Sequence, residues 1–105
     1  MDTYQFPKRG ELRALVAQAW PEKGHKRLIE LVVSFAECEI AIDALPSYLA
    51  LAIETYCEDR GGGLRLACYA TLPPLIRTMV TDQTQCNLVL NEYVSMLERL
   101  NMLEH

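Results

Sequence analysis

Apolar residues recur three and four positions apart through almost the whole chain, in runs cut off by Pro21, Pro46, Gly61-Gly62-Gly63 and Pro73-Pro74. That punctuation confines the chain to short helices joined by tight turns. Leu12, Leu15, Val16, Ala19 and Trp20 predict a first helix from Glu11 to Trp20, stopped by Pro21. Leu28, Leu31, Val32 and Phe35 predict a second from Lys26 onward, and Ile29, Val33 and Ala36 widen its apolar stripe enough to place it centrally.

Pro46 suits the first turn of a helix running to about Asp59, which should bury Leu49, Ala52, Ile53 and Tyr56 or Cys57. The triple glycine predicts a flexible turn. A helix from Leu64 to about Leu72 follows, and Pro73-Pro74 opens another whose face is Leu75, Ile76, Met79 and Val80. Thr81 or Asp82 offers an N-cap for a last helix carrying Val89, Tyr93, Met96, Leu97 and Leu100.

Cys38 to Leu45 is ambiguous: Ile40 and Ile42 alternate with Glu39, Ala41 and Asp43 as in a strand. With no second strand candidate to pair with, it is read as a short helix or turn. The expected architecture is an all-α, compact bundle of six or seven short helices, one domain over residues 1–102. Residues 103–105 read as a purification-tag remnant.

A chain of 105 residues, half of them apolar, can bury a core without disulfide or metal staples. The longest apolar stretches are broken by Glu30, Asp43 and Pro46, so no membrane span is expected. The opening, with Asp2 and Tyr4, does not read as a secretion signal, which gives a cytoplasmic expectation.

Cys38, Cys57, Cys68 and Cys86 include no C-x-x-C pair, so they read as reduced core residues and no metal or cofactor is expected. His25, between Gly24 and Lys26, reads as a solvated turn residue, and no nucleophile, metalloprotease or phosphate-loop motif accompanies it. Glu37 with Glu39, or Glu54 with Glu58 and Asp59, could do acid–base work, but reads more simply as a wet helix face. Tyr48, Tyr56, Tyr69 and Met79 could line a ligand pocket, yet fit a core better. No catalytic residue is therefore expected.

The charge layout carries more information. Residues 1 to 30 hold six basic groups, Lys8, Arg9, Arg13, Lys23, Lys26 and Arg27, against four acids. Residues 31 to 59 hold no base and six acids, Glu37, Glu39, Asp43, Glu54, Glu58 and Asp59. On different faces, the two sets would orient a protein partner or a second copy of the chain. The negative net charge of −4 argues against nucleic acid as a partner. A small acidic inhibitor that blocks a toxin, nuclease or other enzyme is the alternative function.

Three stretches carry a family resemblance. Phe6-Pro7-Lys8-Arg9-Gly10-Glu11-Leu12-Arg13-Ala14-Leu15-Val16 places Phe-Pro and a basic residue before an L-x-x-L-V helix. The run from Tyr48 to Gly61 ends a long helix in an aromatic residue, an acid and Arg-Gly, and Leu64 to Ala70 gives a short helix after it. In these the chain resembles the effector-associated domains, helical adaptor modules of the death-like class in bacterial conflict and immune systems. The resemblance implies a homotypic adaptor that recruits an effector carried elsewhere and has no catalytic residues. The partner-binding residues expected on one surface are Lys8, Arg9, Arg13, Lys26 and Arg27, and on the other Glu37, Glu39, Asp43, Glu54, Glu58 and Asp59.

Overall fold

Among residues 2–58 and 62–100, which the computed structural model describes, 76 % are helical, so helix-on-helix packing supplies the architecture. The elements in order are β1 (Thr3–Gln5), α1 (Arg9–Ala19), α2 (Glu22–Val33), β2 (Glu39–Ala41), a 3-10 turn (Ile42–Ala44), α3 (Leu45–Cys57), α4 (Gly62–Ala70), α5 (Leu72–Met79) and α6 (Gln83–Arg99). Residues 103–105, read above as a tag remnant, lie outside the described residues.

Helix boundaries follow local chemistry. The Trp20 N–H closes the last turn of α1 on the Val16 carbonyl, and Pro21, without an N–H, ends the run. In α2 the backbone leaves helical geometry at Lys23, Gly24 and His25, with Gly24 at φ 105°, so the regular helix begins at Lys26 as its periodicity predicts. Pro46 sits in the first turn of α3, where a missing N–H costs nothing. Asp82 caps α6 by accepting a hydrogen bond from the Gln85 N–H at 2.9 Å.

The core is drawn from every helix: Leu12 and Val16 of α1, Leu28, Ile29 and Val32 of α2, Leu49 and Ile53 of α3, Tyr69 of α4, Leu75 and Ile76 of α5, and Val89 and Tyr93 of α6 are all buried. No polar or charged residue is buried with them among the described residues. The molecule is flattened, with extents of 36 × 32 × 18 Å, so much of its volume lies close to a surface.

Four expectations need correction. Residues 39–41 form a strand rather than a helix or turn. Thr3, Tyr4 and Gln5 pair antiparallel with Ala41, Ile40 and Glu39, and the Phe6 N–H to Cys38 C=O (2.9 Å) and Ile42 N–H to Asp2 C=O (3.0 Å) bonds extend the ladder at both ends. A three-residue strand is too short to show a period, and its partner here is more than thirty positions away in sequence. Second, Gly62 and Gly63 belong to α4, so the triple glycine is not a turn throughout.

Third, Cys38 is exposed before β2, whereas Cys57, Cys68 and Cys86 are buried. Burial, with Cys57 alongside, pushes the Cys68 thiol up to about 11, so it stays protonated near neutrality and packs as a small apolar group. Fourth, His25 is half-buried: its ring lies 6.1 Å from that of Tyr56, and its Nδ1 is buried without a hydrogen bond.

Candidate functional site

The charged residues that the sequence singles out are placed unevenly. Arg13 on α1 forms an ion pair with Glu30 on α2, with a second hydrogen bond from Arg13 Nη2 to Glu30 Oε1 at 3.2 Å. The Arg13 hydrogen bonds hold the Glu30 carboxyl below its usual value against a smaller opposing effect of desolvation, and the positive charges of Arg13, Arg9 and Lys26 add to them. The fold thus gathers Arg9, Arg13 and Lys26 around one acid, while Lys8 precedes α1 and Arg27 lies exposed on α2.

Glu37, Glu39 and Asp43 gather with Asp2 around the short ladder, all exposed. Glu37 takes a left-handed backbone conformation, φ 66°, and its N–H donates to the Pro7 carbonyl at 3.1 Å. That bond ties the backbone at Glu37 to Pro7, the residue before Lys8. Glu58 is exposed at the end of α3, and Asp59 lies outside the described residues.

Glu54 stands apart from the other acids. Its Oε2 accepts from Arg65 Nε and from the Tyr69 hydroxyl, both at 2.7 Å. Burial pushes the Glu54 carboxyl up, but the hydrogen bonds from Arg65 and Tyr69, with the Arg65 charge, outweigh it and leave the group below its usual value. Arg65 also lies over the Tyr69 ring, 5.8 Å from its centroid. This knot joins α3 to α4.

Beside the knot runs an apolar groove of about 360 Å³ between α3, α4 and α6. It is lined by Ser47, Ala50, Leu51 and Glu54 of α3, Tyr69 of α4, and Met96, Arg99 and Leu100 at the end of α6. Leu51 is 58 % exposed and Leu100 39 % exposed, as Leu66, Leu88 and Val94 are elsewhere on the surface. Burying either against a partner would return about 1–2 kcal/mol.

Glu54 and Arg99 both line this groove. Tyr69 holds Glu54 through its hydroxyl and Tyr93 through its backbone carbonyl. Arg99 lies six residues, roughly 9 Å of helix, beyond Tyr93. Among the described residues Arg99 makes no ion pair.

The four residues weighed as a ligand pocket do not converge on one. Tyr56 donates to the Gly24 carbonyl at 2.8 Å, Tyr69 to Glu54, Tyr48 packs edge-on against Phe35 at 5.4 Å, and Met79 is buried on α5. The described residues include no cluster of three or more metal-ligating side chains, and no helix among them is long and apolar enough to cross a membrane. Compared with family models, curated proteins and solved structures, the chain finds no match.

The groove escaped the sequence reading, although a signal existed. Leu51 falls off the α3 face formed by Leu49, Ala52, Ile53 and Tyr56, and an off-face leucine in a helix with few charges marks a second apolar surface.

Proposed function

We propose that this protein is a helical adaptor whose role is to bind a like helical domain, and that the groove between α3, α4 and α6 is where that domain docks. The observation that carries the reading is an apolar groove, holding two exposed leucines, with a carboxylate and a guanidinium in its lining. Apolar surface with polar and charged groups beside it is what a protein-binding surface uses. The basic cluster around Glu30 and the acidic corner of Glu37, Glu39 and Asp43 would steer encounter and make its rate fall with salt. The death-like topology, the cytoplasmic location and the recruitment of an effector are parts of the same proposal, motivated by the family resemblance.

Affinity capture from the source organism with wild-type chain and with Leu51→Asp tests it. The expected result is a captured protein, identified by mass spectrometry, that carries a helical domain of this kind and is lost with Leu51→Asp while the variant keeps its helical circular dichroism. Identical captured sets for the two chains would refute the docking surface.

A further inference from the structure

Two of the four cysteines, Cys57 and Cys68, belong to the two helices that the Glu54 knot joins. Cys57 follows Glu54 by three residues on α3, and on α4 Cys68 follows Arg65 by three and precedes Tyr69. Residues three apart share a helix face, so the 2.7 Å bonds from Arg65 and Tyr69 to Glu54 turn the two cysteine-bearing faces toward each other. The thiols meet there, the Cys68 S–H donating a hydrogen bond to Cys57 Sγ. Arg65, held mainly by its Glu54 hydrogen bond, and Tyr69, pushed up mainly by burial, both also feel the charge of Cys57, which puts Cys57 within electrostatic reach of each.

Core filling would explain either cysteine alone, but two sulfurs in contact across a helix–helix seam are the starting arrangement for a disulfide. We propose that Cys57 and Cys68 form a dithiol site that a peroxide oxidises to a disulfide, pinning the end of α3 to α4.

The surroundings give each sulfur its part. Burial first, then the charge of Cys57 and the hydrogen bond to it, push the Cys68 thiol up to about 11, so Cys57 ionises before Cys68 does. Cys57 is also the more exposed, at 8 % against 1 %, and is the sulfur that meets the oxidant. Its thiolate attacks one peroxide oxygen and the O–O bond breaks. The sulfur, oxidised by two electrons, becomes a sulfenic acid, and the second oxygen leaves with the thiol's proton as water. Cys68 Sγ then attacks Cys57 Sγ. The S–S bond forms, the S–O bond breaks, and hydroxide leaves with the Cys68 proton as a second water. One hydrogen peroxide and two thiols thus give one disulfide and two waters.

The test is to treat the folded full chain carrying Cys38→Ser with excess hydrogen peroxide, block the remaining thiols with N-ethylmaleimide in urea, and weigh the tryptic peptides. Trypsin cuts after Arg27, Arg60, Arg65 and Arg77, so Cys57 falls on peptide 28–60, Cys68 on 66–77 and Cys86 on 78–99. Cys38 would share the first of these, and its replacement by serine makes the assignment unique. The expected result is 28–60 joined to 66–77, two hydrogens lighter than their sum, with Cys86 recovered as a blocked thiol and the link undone by dithiothreitol. Since the link closes a loop of about a dozen residues in the unfolded chain, the oxidised protein should also melt roughly 10 °C higher. Added to the same background, Cys68→Ser should halt at a Cys57 sulfenic acid that dimedone captures, and Cys57→Ser should leave Cys68 a thiol.

Recovery of both Cys57 and Cys68 as blocked thiols after peroxide would overturn the site. So would an oxidised chain that melts below the reduced one, because a link formed against the native geometry strains the fold. Dimedone captured on Cys68 in the Cys57→Ser chain would overturn the assigned order of attack.

Discussion

Replacing Tyr93 with phenylalanine removes a single oxygen from the interior, and the structure sets what that should cost. The Tyr93 hydroxyl donates to the Tyr69 carbonyl at 2.5 Å, and both residues are buried. In a continuing helix the Tyr69 carbonyl would accept the N–H of residue 73, but that residue is Pro73, which has none, and α4 ends at Ala70. Nearby, the Thr71 N–H serves Cys68 and the Thr71 hydroxyl serves Ala67, which leaves Tyr69 to a side chain reaching across from α6.

Tyr93→Phe strips the donor and keeps the ring, so the lost free energy is that of an unsatisfied buried carbonyl, about 2 kcal/mol within a range of 1–3. At roughly 2 cal/mol/K of unfolding entropy per residue over 105 residues, that corresponds to a fall in Tm of about 9 °C. Urea unfolding followed by circular dichroism should give a lower midpoint with an unchanged slope. A loss below about 0.5 kcal/mol would mean that the carbonyl is satisfied without Tyr93 and would refute the reasoning.

Three further perturbations test backbone and charge. Glu37 holds φ 66° with a side chain that disfavours it, so Glu37→Gly should stabilise the fold by about 1 kcal/mol; Gly24→Ala, which forces a Cβ onto φ 105°, should destabilise it by a similar amount, both read by denaturant midpoint. Glu30 and Glu54 both lose their protons more readily in the folded chain than in the unfolded one, so their contribution is fully present above the usual value of 4.5 and is lost as pH falls through the folded values. Tm should therefore drop on acidification below about pH 5, and the Glu30→Gln, Glu54→Gln double variant should drop less; equal slopes for the two proteins would contradict this.

Helix placement was open to reading from residues alone, because the signals are local. Pro46 at a helix start, Asp82 as a cap, the Lys26 onset of the regular part of α2 and the buried faces of α1, α3, α5 and α6 all follow from spacing within a few positions. The strand pair was not, since Thr3–Gln5 means nothing until Glu39–Ala41 lies beside it. Charge pairing was likewise not local. Counting by sequence put Glu54 in a block of six acids and no bases, yet in space it belongs to Arg65 and Tyr69, and Arg13 belongs to Glu30.

Periodicity and punctuation, acting over one or two turns, determined that this chain is helical and which stripe of each helix faces inward. Only tertiary structure decided which charges neutralise each other, which carbonyl needs Tyr93, and that Leu51, Met96 and Leu100 from helices far apart in sequence line one groove. The division is physical: a helix forms by bonds between residues four apart, whereas a surface is made by whichever side chains packing leaves outside, and no local rule fixes that choice.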